Sequence, residues 1–211
     1  MIARTPFASP LKIGPESNGM LMTPEEFDAI EEYDRAYRYE LIHGVLVVNS
    51  VPLSDHVSPA DFLGYLLTAY QLHHPQGHSL DATLPERYVY LPDGRRIADR
   101  VIWAGLGRQP DDEKDPATIA IEIVSESKRD RVRDFEEKLV DYPLAGVKEY
   151  WIIDRFQRQM FSYRFFGRRR SPIITEETGN YSTPLLPGFV LSLAPVLQRA
   201  DNWKKTKRRK P

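Results

Sequence analysis

The chain has 211 residues, 41% hydrophobic and 28% charged, which excludes a disordered chain and allows one large domain or two small ones. It has no cysteine, which excludes disulfides, thiolate nucleophiles and Cys-ligated zinc or iron–sulfur sites and suits a reducing compartment. The net charge of −1 conceals an asymmetry: Lys204, Lys205, Lys207, Arg208, Arg209 and Lys210 carry six positive charges, and without them the rest of the chain stands at −7.

Residues 1–21 hold Pro6, Pro10 and Pro15 without periodicity and are expected to form a flexible arm. Thr23-Pro24-Glu25-Glu26 is a helix start, with Thr as N-cap, Pro at the first position and Glu reaching back; the helix should run to about Tyr33. Tyr39–Val51 reads as a hairpin around Gly44. Ser58-Pro59-Ala60-Asp61 starts a second helix, with Phe62, Leu63, Leu66, Leu67 and Tyr70 at helical spacing, ending near His74-Pro75. Strands are predicted over Arg87–Leu91 and Arg96–Trp103, joined by the turn Pro92-Asp93-Gly94. Ala117–Ser125 is nearly all apolar, the pattern of a strand buried on both faces. Ser127 then caps a long helix with a buried stripe of Val132, Phe135, Leu139 and Tyr142; Pro143 should distort its last turn and Gly146 should close it. Val147–Asp154 and Met160–Phe165 pair as a second hairpin, 168–187 is loop-rich, and Gly188–Leu197 forms a short last element. The order predicts an α/β chain of the α+β kind: one domain over 22–197, a mixed sheet flanked by helices. Residues 198–211 should be a basic, disordered tail, although such charge can also hold nucleic acid by counterion release. No run reaches the roughly 18 apolar residues of a membrane span. The N-terminus lacks the apolar stretch of a secretory signal, so a cytoplasmic location without membrane contact is expected.

Phosphate-loop, HExxH and GxSxG motifs are absent. His73, His74 and His78 read as an exposed helix-end loop rather than a metal site. The informative residues are acids inside strands. Asp99 shares a strand face with Ile97, Val101 and Trp103, and Glu122 sits between Ile121 and Ile123. A buried carboxylate needs a cation, a donor or a metal, so each is either half of a structural ion pair, with Arg100 or Arg131, or part of a shared Mg²⁺ site. Lys138 lies about 60° from Phe135 and about 40° from Tyr142 around an ideal helix. It either brings its ammonium toward Glu122 or snorkels at the surface beside Asp134 or Asp141. Glu40, in Tyr39-Glu40-Leu41-Ile42, is a fourth embedded acid or an edge-strand surface charge.

The blocks YELIHGVLVV, ADRVIW, ATIAIEIVSES and KLVDYPLAGVKEYWIID together resemble the Uma-two family of restriction endonucleases, within the PD-(D/E)XK nuclease superfamily. The resemblance covers roughly residues 22–165 and extends to 197. It implies a restriction-endonuclease-like core that cleaves DNA with Mg²⁺, or Mn²⁺ in its place, leaving a 5′-phosphate and a 3′-hydroxyl, with a homodimer possible. Asp99, Glu122 and the backbone carbonyl of Ile123 would hold the metal, Lys138 would orient the attacking water, and Glu40 would complete the shell. Val124 stands where the superfamily places its Lys, a role that passes to Lys138 on the next helix. Ala98 replaces the usual Pro, and Pro143 replaces a smaller residue. The alternative is a nuclease fold kept as a non-catalytic interaction or nucleic-acid-binding module. Arg95, Arg96 and Arg100, Arg129, Arg131 and Arg133, Arg168–Arg170 and the tail are the candidate basic surface for DNA.

Overall fold

The computed structural model describes residues 12–51, 53–166 and 171–203. Arg168–Arg170 and the basic run 204–210 lie outside the described residues. The chain forms two compact units, residues up to 51 together with 90–96, and residues from 52 to 89 together with 97 onward.

In the first unit β1 (Lys12–Ile13), within the expected arm, pairs in parallel with β2 (Glu32–Tyr33). Between them lies α1 (Pro24–Asp28), held by the expected capping box: the Thr23 N–H donates to Glu26 Oε2 at 2.8 Å, and the Glu26 N–H donates to Thr23 Oγ1 at 3.2 Å. The helix stops at Asp28, short of Tyr33, because Glu32 and Tyr33 pair as a strand with residues that local spacing cannot reveal. β3 (Tyr37–Ile42) and β4 (Val45–Ser50) form the predicted hairpin, turning at His43 and Gly44, both with positive φ.

A longer hairpin joins β5 (Leu80–Leu91) to β6 (Gly94–Ala104); its tip, 90–96, belongs to the first unit, where Leu41 pairs with Arg95. In the second unit β6 runs antiparallel to β7 (Ile119–Ile123). β7 runs parallel to β8 (Glu149–Asp154), which is antiparallel to β9 (Gln159–Arg164), itself antiparallel to β10 (Ile173–Glu176). This is the expected mixed sheet. Parallel β7 and β8 need a helical crossover. It consists of α3 (Lys128–Val132), a π turn over Arg133–Glu137, and α4 (Lys138–Leu144). Long helix α2 (Ser54–His73) precedes β5. The segment expected to be loop-rich holds β10 and β11 (Asn180–Ser182); β11 pairs with β12 (Val190–Ser192), and α5 (Leu193–Asp201) ends the described fold.

Two apolar layers cover the sheet of this unit. Ala60, Leu63 and Leu67 of α2 join Ile102, Ile119, Ile121, Ile123, Trp151 and Ile153 in one. Tyr142 of α4 joins Val101, Trp103, Ala120, Val124, Tyr150 and Ile152 in the other. Alternation along each strand sends successive side chains to the two layers, which is why β7 and β8 read as continuous apolar runs. Among the described residues no helix is long and apolar enough to cross a membrane.

Candidate active site

The antiparallel ladder between β6 and β7 pairs Ile102 with Ile119, Val101 with Ala120 and Arg100 with Ile121, then stops. Just beyond, the Ile123 N–H donates instead to Asp99 Oδ2 at 2.7 Å. A side-chain carboxylate thus replaces a backbone acceptor where the two strands part. Ala98 is fully buried in the apolar layer beneath α4. By strand alternation Glu122 belongs with Ala120 and Val124, on the layer beneath α4, while Asp99 is buried where β6 and β7 part.

Lys138 comes from that layer and is 2% exposed. Its Nζ lies 2.8 Å from Glu122 Oε1, donates to the Ile97 carbonyl at 2.8 Å and is 3.9 Å from Asp134 Oδ1. Tyr142, one turn on, donates its hydroxyl to the same Glu122 Oε1 at 2.6 Å. Lys138 is therefore not a surface side chain, and neither Arg100 nor Arg131 neutralises Glu122. Arg131 pairs with Asp154 at 2.7 Å, while Arg100 donates to the Ala60 carbonyl at 3.0 Å and to Thr83. Gly64 makes room for Arg100: a Cβ there would lie 2.4 Å from its Nη2.

The π turn explains the placement of Lys138. An unbroken helix predicts a buried stripe containing Val132, yet Val132 is 45% exposed. The face turned inward carries Asp134, Lys138, Asp141 and Tyr142. One wide turn changes the phase of everything after it, and such turns recur at functional sites. Asp134 is held by Arg133 Nε at 3.2 Å, and its backbone carbonyl accepts from the Tyr150 hydroxyl at 2.9 Å.

The electrostatics separate the two acids. Burial pushes the Asp99 carboxyl up, but His56, Lys138 and the Ile123 N–H more than offset this and hold it well below the usual carboxylate range. Burial pushes Glu122 up to about 8; Lys138 opposes the shift, and the Asp99 and Asp134 charges add to it. Asp134 is raised too, by burial against the pull of Lys138 and Arg133. The surroundings thus push the Asp99 carboxyl down and the Glu122 carboxyl up, a separation typical of sites with chemistry to perform.

Sequence reasoning missed His56. Its Nε2 lies 2.9 Å from Asp99 Oδ2, and its Nδ1 lies 3.3 Å from Ser125 Oγ. The helix was expected to begin at Ser58-Pro59, but α2 starts at Ser54, and both His56 and Val57 donate to the Leu53 carbonyl. Pro59 pointed to a start one turn too late, leaving His56 in an expected loop. Glu40 is buried in the first unit, where Asn49 Nδ2 donates to its Oε2 at 3.1 Å; it is not a surface charge.

Among the described residues, the expected basic surface is largely committed elsewhere. Arg95 pairs with Asp28, Arg96 is fully buried, Arg131 pairs with Asp154, and Arg133 with Asp130. Lys128 and Arg129, at the start of α3, are exposed.

The donors suit a hard divalent cation. Among the described residues no three His, Cys, Asp or Glu side chains cluster into a closed metal cage. Mg²⁺ asks for less: one or two carboxylates, with its own waters and phosphate oxygens filling the shell. Asp99 and Glu122, both buried on adjacent strands, are the candidate pair.

A solved structure from Anabaena variabilis, described as a "putative nuclease belonging to DUF820", superposes with a TM-score of 0.65 at 18% identity, covering 85% of this chain and 99% of that one. At that identity the likeness speaks for the fold. No curated protein matches the chain. The profile of the Uma2 family, described as "Putative restriction endonuclease", matches residues 24–194. The buried acid pair, the Lys138 helix and the mixed sheet thus sit inside the matched span, and the chain belongs to the Uma2 family.

Proposed function

We propose that the protein is a metal-dependent endonuclease that hydrolyses DNA phosphodiester bonds. The observation that carries this reading is the Asp99–Glu122 pair on adjacent strands, with Lys138 Nζ 2.8 Å from Glu122. Asp99, Glu122 and the Ile123 carbonyl would hold Mg²⁺, or Mn²⁺ in its place. When bound, such a cation lowers the pKa of a coordinated water and neutralises charge building on the scissile phosphate.

The chain's own groups do the rest. The Ile123 N–H donates to one Asp99 oxygen. Two of the three Lys138 protons face Ile97 O and Glu122 Oε1, and the third orients the attacking water and meets the developing negative charge. Tyr142 holds Glu122 Oε1 from the same helix. Attack forms a bond from the water oxygen to phosphorus and breaks the bond to the 3′ oxygen, leaving a 5′-phosphate and a 3′-hydroxyl. Glu40 belongs to the first unit, and no step is assigned to it.

The test is nicking of supercoiled plasmid with Mg²⁺, Mn²⁺ or EDTA, beside Asp99→Ala. Cleavage that requires metal and disappears in the variant supports the reading. A folded wild type that leaves the plasmid intact with both metals contradicts it and favours a non-catalytic module on the same fold.

A further inference from the structure

His56 belongs to neither acid-bearing strand, yet it touches what both strands present. We propose that His56 is a positioning residue for the metal-holding carboxylate: it locks Asp99 from α2 and ties it to the segment that follows Glu122. The inference rests on the nuclease reading above and adds to it a residue with a defined task.

Three observations carry it. First, two donors end on a single oxygen of Asp99, His56 Nε2 at 2.9 Å and the Ile123 N–H at 2.7 Å. One bond permits rotation about Cβ–Cγ; two bonds from different elements fix the plane of the carboxylate. Second, the other ring nitrogen is also engaged, with Nδ1 3.3 Å from Ser125 Oγ. Nε2–H donates to Asp99 while Nδ1 faces the Ser125 hydroxyl. The ring orientation is thereby set, and Ser125 stands three residues after Glu122. Third, α2 is pinned beside this point. Arg100, next to Asp99, donates to the carbonyl of Ala60, one helical turn from His56, through the gap left by Gly64.

The β6–β7 ladder has already ended at Arg100 and Ile121, so pairing between these two strands does not fix Asp99 against Glu122. His56 supplies the missing brace. Lys138 reaches the acids from the α4 layer, and His56 comes from the helix of the opposite layer. Residues that orient metal ligands through hydrogen bonds typically matter 10–100-fold in metal affinity or activity.

The experiment measures Mn²⁺ binding by loss of the free-ion EPR signal, and plasmid cleavage, for wild type, His56→Ala, His56→Gln and Ser125→Ala, with melting curves for each. His56→Ala should bind Mn²⁺ on the order of 10–100-fold more weakly. Its kcat should fall while KM for DNA holds. His56→Gln, whose amide places an N–H near the Nε2 position, should recover most of the loss. Ser125→Ala should lose less, in the same direction. If His56→Ala does not fold, His56→Gln decides: near-native Mn²⁺ affinity supports the proposal. Wild-type binding and cleavage in His56→Ala, or a His56→Gln protein that folds but has lost its Mn²⁺ affinity, would overturn it while leaving the nuclease reading intact. A wild type that neither binds Mn²⁺ nor cuts would overturn both.

Discussion

Two buried glutamates lie on neighbouring strands of the second unit and live in opposite circumstances. Glu149, on β8, is fully buried and surrounded by donors on both oxygens. Thr183 donates to Oε1 at 2.7 Å, Trp151 Nε1 and the Tyr181 hydroxyl each donate to Oε2 at 2.9 Å, and Arg164 Nε lies 3.0 Å from Oε1. Among the described residues no second acid competes for those partners. Glu122, on β7, has both of its donors, Lys138 and Tyr142, on Oε1, and the Asp99 charge repels it. Burial alone therefore does not mark a reactive acid. Glu149 is satisfied and ties β8 and β9 to the segment around β11, whereas Glu122 retains the electrostatic demand that a cation or a proton answers.

The largest expected effect sharpens this contrast from the structural side. Glu149→Gln puts an N–H₂ among groups that all donate, and should destabilise the fold by about 3–5 kcal/mol, as for a broken buried ion pair. Urea unfolding measures it, and the protein that remains folded should cut at the native rate. Lys138→Met acts on the other side. Cleavage should fall about 100-fold or more, as for loss of one charge-stabilising donor, in a single-turnover assay. It should also destabilise the protein by leaving Glu122 without its cation, and Glu122→Gln combined with Lys138→Met should recover stability but not cleavage.

A pH experiment comes next. Glu122 binds its proton more tightly folded than unfolded, so the metal-free fold gains from this group below the ordinary carboxylate range. That gain is lost as pH rises from about 4.5 through about 8. Asp99 has the opposite sign: its contribution is present above the ordinary range and lost as pH falls below it. Glu122→Gln should flatten the decline of stability between about pH 4.5 and about 8 and leave the loss at lower pH unchanged. An equal slope in wild type and variant between about pH 4.5 and about 8 would show that the Glu122 carboxyl is not raised by the fold. The smallest effect is that of Tyr142→Phe, which removes one hydrogen bond to Glu122 Oε1 and should lower stability by about 1–3 kcal/mol with cleavage retained, seen in parallel melts and nicking rates.

The sequence made part of this legible. Alternation in β6 and the unbroken apolar run of β7 exposed Asp99 and Glu122 as anomalies, because a charge between isoleucines is costly wherever the fold places it. Glu149 interrupts its strand in the same way, yet nothing local distinguishes it: its donors come from Arg164, Tyr181 and Thr183, which only the folded chain brings near. Lys138 was legible as a residue bordering the buried stripe but not as a buried one, because a π turn breaks the 3.6-residue phase on which that reading depends. His56 was hidden by Pro59, which normally marks the first turn of a helix and here lies inside one.

The central claim is that the Asp99–Glu122 site takes a divalent cation and the Glu149 site does not. The most direct measurement is the melting temperature of wild type, Glu122→Gln and Glu149→Gln, each with EDTA and with Mn²⁺ in excess. A ligand that binds only the folded state raises the melting point by mass action. The account predicts that Mn²⁺ raises the melting point of wild type and of Glu149→Gln by similar increments, the latter from a lower base, and leaves Glu122→Gln unmoved. An equal rise in Glu122→Gln, or no rise in wild type, would contradict it.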